Sequence, residues 1–418
     1  MDDINKILPK DWKWLKLGEV CNTTSGGTPS RRESKYYDGN IPWVKSGELD
    51  RGVITDTEEK ISEDAIKNSS AKIFPKGTLL IALYGATIGK LAFLGVDAAT
   101  NQAICGIFQN EKISSAFLYN YLFFKKRKLI GQGIGGAQPN ISQTILKNLD
   151  IPLPPKPTQE TMVSKIEELF SELDKGMENL RTAQQQLKTY RQSVLKWAFE
   201  GKLTNENVKE GELPKGWKEV LLKDVCKIIG GVTKGKDFKG KETIHLPYLR
   251  VANVQDGYLD LNEIKLIEIL PSDKGKYQLL FGDILYTEGG DKDKLGRGTI
   301  WKNEIEDCIH QNHIFRARPL SNEVASMYIA YFSQTRVAKS YFFKHGKQTT
   351  NLASINLTIL SNLPIPLCAF KEQNKIVQEI ESRLSVADKM EESITQSLQQ
   401  AEALRQSILK KAFEGKLI

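Results

Sequence analysis

Metal-binding side chains lie close together at one point of the chain. Cys308, His310 and His313 fall within six residues, and thiolates and imidazoles are the ligands that zinc prefers. No fourth ligand is evident nearby in the sequence, and alternate residues of one strand would explain the spacing of the first two equally well. We therefore predict no metal site, with zinc bound by these residues as the alternative.

Three other motifs resemble parts of enzymes but lack the context that the chemistry requires. Residues 131–136 have the glycine spacing of a dinucleotide-binding loop, but they follow a basic helix rather than a strand. Residues 85–91 are one residue shorter than a phosphate-binding loop and lack the hydroxyl that holds magnesium. Glu263-Ile-Lys265 resembles a nuclease motif, but Asp260 lies too close to it, and the sequence has no amino-methyltransferase motif. We predict no catalytic residue and expect a binding protein.

The charge of the chain is compatible with a polyanionic partner. The 418 residues carry a formal net charge of +8 and give a pI near 8.9. Basic residues cluster in both halves, at residues 31–32, 125–128, 234–236 and 344–347. Each cluster alone is equally well explained as a solvated surface. Their recurrence in both halves favours contact with the phosphates of nucleic acid.

Composition places the chain among globular intracellular proteins. Its length predicts two or three domains, and 40% hydrophobic residues are enough for real cores. The sequence has no apolar run long enough to span a membrane, and its polar N-terminus does not resemble a secretory signal. The five cysteines are widely separated and odd in number, which is typical of a reduced compartment. We therefore expect a cytoplasmic protein.

The chain also repeats itself. Residues 190–203 recur 214 positions later as residues 404–417, with differences at three of the fourteen positions. The segment Leu-Pro-Lys-x-Trp-Lys at residues 8–13 recurs 205 positions later at residues 213–218. The second copy has therefore gained residues in between, as surface loops do. A repeat of this length requires each copy to be one structural unit, which gives the fold a pseudo-two-fold internal repeat.

Two similar α/β domains and two long helices follow from this repeat, so that the predicted class is α+β. Runs such as residues 41–44 and 78–83 predict strands, and residues 115–128 predict a helix. The proline-rich residues 151–157 end the first domain. We assign residues 1–157 to the first domain, 158–204 to the first long helix, 205–212 to a linker, 213–369 to the second domain and 370–418 to the second long helix.

Each long helix carries an apolar seam with heptad spacing, which is typical of a coiled coil. A helix of about 40 residues is a rod of roughly 60 Å. The predicted seam positions are Ile166, Leu173, Leu180, Leu187 and Val194 in the first helix and Ile380, Ala387, Ile394, Ala401 and Ile408 in the second.

Two such seams in one chain can cover each other. Each buried Leu or Ile contributes on the order of 1.5–3 kcal/mol, so an exposed stripe would be costly. Because a domain separates the two helices along the chain, we predict an antiparallel pair that lies between the two domains. The alternatives are that each helix packs on its own domain or pairs with another molecule.

Several motifs together resemble the target-recognition domains of type I restriction–modification specificity (S) subunits. They are Thr-Ser-Gly-Gly-Thr-Pro-Ser-Arg at residues 24–31, residues 36–43, Gly-Ala-Gln-Pro-Asn-Ile at residues 136–141, residues 151–155, and the Ala-Phe-Glu-Gly-Lys-Leu ends of both long helices. The resemblance covers essentially the whole chain. The second domain departs from it, since Gly-Gly-Val-Thr at residues 230–233 replaces Gly-Gly-Thr-Pro, and Gln-Thr-Thr-Asn at residues 348–351 replaces Ala-Gln-Pro-Asn.

The resemblance implies a subunit that is not an enzyme by itself. Its two recognition domains would read different half-sites of double-stranded DNA across base pairs that are not read, so the target would be bipartite and asymmetric. The implied partners are two methylation subunits, which bind S-adenosylmethionine, and restriction subunits, which use ATP and Mg²⁺. The chain itself would need no cofactor.

Polar residues in the loops of the domains are the candidates for contacts with base edges and phosphates. In the first domain they are Ser25, Thr28, Arg31, Lys45, Ser46, Thr87, Lys90, Gln138 and Asn140. In the second domain they are Thr233, Lys234, Arg250, Asn253, Arg297, Lys347, Gln348 and Thr349. An ordinary turn or a solvated side chain also explains each of them.

Two other functions remain as alternatives. A stand-alone or fused DNA methyltransferase or nuclease would need the catalytic motifs that the sequence lacks. A coiled-coil scaffold that binds only proteins would leave the paired, unequal domains and the basic charge unexplained.

Overall fold

The computed structural model describes residues 8–132, 140–205, 207–209, 211–235, 237–291, 295–348 and 352–418. The chain divides into two compact units. Unit 1 comprises Met1–Leu180 and Gln396–Ile418, and unit 2 comprises Arg181–Thr395. Two helices of 44 residues each contribute residues to both units.

Unit 1 is built from short strands, short helices and parts of the two long helices. Its strands are β1 (Lys13–Lys16), β2 (Thr23–Ser25), β3 (Ile41–Val44), β4 (Val53–Ile54), β5 (Glu59–Ile61), β6 (Ile73–Phe74), β7 (Leu79–Ala82), β8 (Leu91–Leu94), β9 (Ala98–Thr100), β10 (Ile104–Ile107) and β11 (Asp150–Leu153). Its short helices are α1 (Leu17–Val20), α2 (Glu63–Lys67), α3 (Ser115–Gly131) and α4 (Gln143–Lys147). It also contains the first part of the long helix α5, which spans Lys156–Phe199, and the last part of the second long helix, α11, which spans Phe370–Phe413. The predicted strand at residues 41–44 is confirmed.

Three sheets organise the strands of unit 1. A five-stranded sheet has the order β2-β10-β7-β8-β4, and a four-stranded sheet has the order β5-β3-β9-β6. Strand β1 pairs antiparallel with β11, which ties the start of the domain to the segment that leads into α5.

Unit 2 repeats this construction. Its strands are β12 (Lys218–Leu221), β13 (Cys226–Gly230), β14 (Ile244–Leu249), β15 (Lys265–Ile269), β16 (Ile284–Thr287), β17 (Gly289–Asp291), β18 (Gly298–Ile300), β19 (Ile309–His310), β20 (Ile314–Pro319), β21 (Lys347–Gln348), β22 (Leu352–Ser354) and β23 (Pro364–Leu367). Its short helices are α6 (Leu222–Val225), α7 (Lys274–Tyr277), α8 (Ser326–Ser333), α9 (Arg336–His345) and α10 (Leu357–Ser361). It also contains the last part of α5 and the first part of α11.

The sheets of unit 2 match those of unit 1 strand for strand at their centres. The order β13-β20-β16-β18 corresponds to β2-β10-β7-β8, and β15-β14-β19 corresponds to β5-β3-β9. Strand β12 pairs antiparallel with β23, as β1 does with β11. An additional three-stranded sheet, β17-β22-β21, occurs in unit 2. The predicted internal repeat of the α+β domains is therefore confirmed.

The long helices are shorter at their C-terminal ends than the sequence predicted. The helices end at Phe199 and Phe413, rather than at residues 204 and 418. Gly201 and Gly415 follow these ends with φ angles of 75° and 69°, a left-handed conformation that terminates helices and favours glycine. Helix α5 also begins two residues early, because Pro157 fits the first turn, where no helical N–H bond is lost.

The predicted seam is covered from solvent, and Ile166, Val194 and Ile380 belong to the hydrophobic cores of the units. Ala387 and Ile166 are each 1% exposed, whereas Met390 and Leu404, beside the seam of the second helix, are 52% and 51% exposed. The other predicted seam positions are buried or half-buried: Leu173, Leu180, Leu187, Val194, Ile380, Ile394, Ala401 and Ile408.

In unit 1, the start of α5 packs against the end of α11, so the two segments run antiparallel. Arg405 forms an ion pair with Asp174, and its guanidinium lies 4.7 Å from the ring centroid of Phe170. Phe413 enters the core of unit 1 and contacts Tyr121 of α3 edge-on, with ring centroids 4.9 Å apart. The helix end therefore completes the hydrophobic core.

Unit 2 makes the equivalent contacts with the other ends of the helices. Arg191 Nη1 lies 2.6 Å from Asp388 Oδ1, and its Nη2 lies 2.9 Å from Glu391 Oε2. Phe199 contacts Tyr328 of α8 edge-on, with ring centroids 4.9 Å apart. Within each unit, the predicted antiparallel packing is confirmed.

A buried glutamine anchors each long helix to its domain. Gln159 is 0% exposed, and its Oε1 accepts a hydrogen bond of 2.8 Å from the N–H of Ser114, which precedes α3. Its Nε2 donates to the carbonyls of Lys112 and Pro154, at 3.1 and 2.9 Å. All the hydrogen-bonding groups of this amide are therefore used internally.

Gln373 repeats this anchor in unit 2. It is 1% exposed, and its Oε1 accepts a hydrogen bond of 2.8 Å from the N–H of Ala325, which precedes α8. Its Nε2 donates to the carbonyls of Glu323 and Cys368, at 3.2 and 2.8 Å. The two copies thus share a polar network in addition to a strand order.

Candidate nucleic-acid interface

Two predicted cations of unit 1 are held against one carboxylate. Arg31 Nη1 lies 2.6 Å from Glu59 Oε2, and Lys45 Nζ lies 3.1 Å from Glu59 Oε1. The Arg31 guanidinium also lies 4.1 Å from the ring centroid of Tyr37 and 5.2 Å from that of Trp43. The hydrogen bond from Arg31 is the main cause that lowers the pKa of Glu59. Because a guanidinium has five N–H donors, the exposed Arg31 keeps donors for a phosphate.

Three predicted hydroxyl residues of unit 1, Ser25, Thr28 and Ser46, are half-buried. Ser25, at the end of β2, accepts a hydrogen bond of 2.5 Å from Gln143 Nε2. Thr28 Oγ1 accepts one of 3.5 Å from the N–H of Gln102. Ser46 begins a short 3-10 helix. Through these hydrogen bonds, Ser25 and Thr28 help to hold the local structure in place.

The other predicted residues of unit 1 lie around the loop between β7 and β8. Lys90 Nζ is 2.5 Å from Asp50 Oδ2, so a phosphate would compete with this carboxylate. Thr87 is half-buried in a short 3-10 helix, and Asn140 is exposed. Gln138 lies outside the described residues.

In unit 2, Arg250 takes the place of Lys45 and is paired in the same way. Its Nη2 lies 3.2 Å from Glu263 Oε2, and this hydrogen bond is the main cause that lowers the pKa of Glu263. Asn253 is only 3% exposed and accepts a hydrogen bond of 2.8 Å from the Arg250 N–H. Its Nδ2 donates to the carbonyls of Asp260 and Glu263. The prediction that Asn253 touches DNA is therefore not kept, because its polar groups shape the Arg250 turn.

The remaining candidates of unit 2 surround the ends of its strands. Arg297 Nη1 donates a hydrogen bond of 2.7 Å to Gln255 Oε1, which fixes its guanidinium. Lys347 is exposed on β21. Thr233 and Lys234 are exposed in the turn after β13. The Gln348 side chain and Thr349 lie outside the described part of the chain.

A groove in unit 2 contains two polar residues that are not among the predicted DNA contacts. It has a volume of about 480 Å³ and is lined by Lys347, Val251, Glu288 and His313. His313 Nδ1 lies 2.5 Å from Glu288 Oε2. In the sequence, His313 stands out only as a possible metal ligand. The available signal was that apolar residues stand at the repeat-related positions of the first copy.

The alternative zinc site does not assemble. Cys308 is 1% exposed, and burial raises the pKa of its thiol to about 12. His310 is fully buried with its Nδ1 2.8 Å from the carbonyl of Ile314, whereas the His313 side chain is 53% exposed. Among the described residues, no group of three or more His, Cys, Asp or Glu side chains is arranged to hold a metal ion.

Backbone pairing corrects the alignment of the segment at Asn140 in unit 1 with its counterpart in unit 2. Tyr84 forms an antiparallel bridge with Asn140 in unit 1, and Gly289 pairs antiparallel with Ser354 in unit 2. Ser354, rather than Asn351, therefore stands where unit 1 has Asn140. Local sequence similarity placed this loop three residues too early, because the second copy is longer here.

None of the helices in the described ranges is both long enough and apolar enough to cross a lipid bilayer.

In unit 1 and in unit 2, the predicted cations and hydroxyls that the structure describes lie in turns, loops and short elements next to the ends of strands. Such side chains suit phosphates and base edges.

Comparisons with known proteins agree with this architecture. The chain is 25% identical to the type I restriction enzyme EcoKI specificity subunit of Escherichia coli (strain K12), over 98% of this chain and 90% of that protein. A chain in a structure describing complex assembly and conformational transition of the type I R-M system gives a TM-score of 0.75 at 21% identity, covering 99% of this chain and all of that one. The HsdS subunit from Thermoanaerobacter tengcongensis gives 0.59 at 21% identity, covering 98% of each chain. These two structures share the fold.

The type I restriction modification DNA specificity domain matches the chain twice, at residues 9–181 and 214–401. The two matches coincide with the two copies of the internal repeat and together cover well over half of the sequence. The chain therefore belongs to this family of DNA specificity proteins.

Proposed function

We propose that this chain is the DNA-recognition subunit of a type I restriction–modification complex and that it recognises a bipartite, asymmetric target. The observation that carries the proposal is the contrast within the repeat. The two units share strand order, buried glutamine anchors and helix-end packing, yet they carry different side chains at the ends of equivalent strands. Two readers with one framework and different surfaces would read two different half-sites.

The proposed contacts with DNA are the accessible polar residues of the two sets. In unit 1 we keep Ser25, Thr28, Arg31, Lys45, Ser46, Thr87, Lys90 and Asn140, with Gln138 as a further prediction. In unit 2 we keep Thr233, Lys234, Arg250, Arg297 and Lys347, with Gln348 and Thr349 as further predictions. The lysines and arginines would position the duplex through its phosphates, while amides and hydroxyls would contact base edges.

Each type of subunit in the proposed complex would have a different role. This chain, non-catalytic and without a cofactor of its own, would supply sequence recognition in the cytoplasm. Two methylation subunits would bring S-adenosylmethionine, and restriction subunits would bring ATP and Mg²⁺. The two long helices would set the number of base pairs between the half-sites, because their lengths are fixed by packing at both ends.

Exchange of one domain tests the proposal. Residues 1–157 are replaced with the equivalent domain of a relative that has another target, and the methylated positions are mapped in DNA from cells that carry the system. We expect one half-site to change and the other to stay the same. A change in both half-sites would show that the units do not read independently, and DNA methylation by the purified chain alone would show that it is an enzyme.

A further inference from the structure

The two units differ in one pair of side chains at equivalent strand ends. In unit 1, the N–H of Leu83 donates a hydrogen bond of 2.8 Å to the carbonyl of Ala103. In unit 2, the N–H of Glu288 donates one of 2.9 Å to the carbonyl of His313. Leu83 and Ala103 are buried, at 4% and 7% exposure, whereas the side chains of Glu288 and His313 are 34% and 53% exposed.

A second backbone bond confirms that these positions are equivalent. The carbonyl of Leu83 accepts a hydrogen bond of 2.8 Å from the N–H of Ile141, and the carbonyl of Glu288 accepts one of 2.7 Å from the N–H of Ile355. The two copies therefore have the same backbone hydrogen bonds at these positions but different side chains. An apolar pair in unit 1 is replaced by a polar, accessible pair in unit 2.

The polar pair is suited to present one hydrogen-bond acceptor in a fixed position. Since an ionised carboxylate only accepts, the His313 Nδ1 that lies 2.5 Å from Glu288 Oε2 must carry the proton between them. This contact holds the carboxylate in place, and within the described part of the chain no donor is bonded to Glu288 Oε1, so this oxygen can accept a second hydrogen bond. Asn312 Nδ2 lies 3.4 Å from His313 Nε2, on the other side of the ring.

The surroundings of the pair favour a base edge over a phosphate as its ligand. Lys347 lies in the same groove and supplies a positive charge that attracts the DNA backbone. The Glu288 carboxylate would repel a phosphate, but it matches the exocyclic amino group of a base. In the major groove, only cytosine N4 and adenine N6 present such a donor.

We propose that Glu288, positioned by His313, reads the exocyclic amino group of one base in the half-site recognised by unit 2. This inference rests on the proposed function, because it requires unit 2 to face the major groove. Unit 1 has no such group at the equivalent position, so its half-site must be read by other side chains.

The test uses the full chain in complex with its methylation subunits and a library of duplexes randomised in both half-sites. Glu288→Ala removes the acceptor, and we expect discrimination at a single position of one half-site to fall about 10- to 100-fold. His313→Ala should weaken discrimination at that same position, but less. Glu288→Gln tells the two bases apart: a cytosine preference would shift toward adenine, whereas an adenine preference would persist because Gln pairs well with adenine.

The same unit provides a matched control. His245 and Glu268 face each other on β14 and β15, and neither lines the groove. Substitution of both by Ala should leave every position unchanged. Full discrimination retained by Glu288→Ala would overturn the inference, as would relaxation of both half-sites. If the unmodified complex selected no bipartite target, the proposed function itself would fail, so the two failures are distinguishable.

Discussion

Unit 1 and unit 2 are most alike where side chains are buried and least alike where strands end. Gln159 and Gln373 are buried at equivalent positions and bind the same kinds of backbone groups at similar distances. Buried Leu83 in unit 1 and the partly exposed Glu288 in unit 2 stand at equivalent strand ends and share only their backbone bonds. A framework whose hydrogen bonds are satisfied by buried groups leaves its surface free to change, because a strand-end side chain can be replaced without breaking the fold.

The largest expected effect concerns a feature that both units share, the long helices. Insertion of four residues after Thr182 lengthens α5 by about 6 Å, or one turn, which keeps the apolar stripe facing its partner but shifts its register. Because DNA rises about 3.4 Å per base pair along each strand, we expect the unread segment to grow by one or two base pairs. A methylation map of the mutant would show the new spacing.

The half-site sequences serve as the internal control for this insertion. They should stay unchanged, since neither recognition surface is altered. New half-site letters at the original spacing would contradict the role of the helices as the spacer.

The second prediction tests whether the two buried anchors are equivalent. Gln159→Leu and Gln373→Leu should each lower the free energy of unfolding by roughly 3 kcal/mol, because three buried backbone groups lose their partners. Urea denaturation would measure the effect, with the exposed Gln185→Leu on α5 as a control. Strongly unequal losses would show that the two networks contribute unequally to the free energy of unfolding despite their matching geometry.

The third prediction concerns the dependence of stability on pH, which unit 2 should show and unit 1 should lack at the equivalent position. His310 is buried in unit 2, and desolvation lowers the pKa of its imidazole to about 4, whereas unit 1 has buried Thr100 at the equivalent position. Above pH 6.5, both folded and unfolded histidine are neutral. Below it, only the unfolded chain takes up the proton, so stability is lost as the pH falls, by about 2 kcal/mol at pH 5.

The variant His310→Thr copies unit 1 into unit 2 and should remove this loss. Thermal unfolding between pH 7 and pH 5 would compare the two proteins. An equally steep loss in the variant would assign the pH dependence to other groups.

The smallest expected effect concerns single cations. Lys347→Ala and Lys90→Ala should each weaken DNA binding for all sequences and reduce the salt slope by up to about one unit. The reduction should be smaller for Lys90, since Asp50 already neutralises its charge. Binding measured over a range of salt concentrations would test this, with Lys67→Ala, which is paired with Glu63 on α2, as the control.

Periodic and repeated features could be predicted from the sequence, whereas contacts between distant residues could not. The strand at residues 41–44, the two long helices and their seam follow from local patterns. The burial of Asn253 depends on carbonyls up to ten residues away, and the ion pair of Arg405 with Asp174 joins residues 231 positions apart. No local rule encodes such distances, which is why the sequence placed Asn253 among the DNA contacts and did not predict the Glu288–His313 pair.

The glycines that follow the two long helices limit what can stand at the helix ends. An added side chain at Gly201 would come within 2.2 Å of Pro214, and one at Gly415 would come within 2.3 Å of Pro9. Pro9 therefore packs beside the end of α11 in the same way that Pro214 packs beside the end of α5. Each long helix thus ends against a proline from the start of a repeat, and any residue larger than glycine at position 201 or 415 would have to displace that proline.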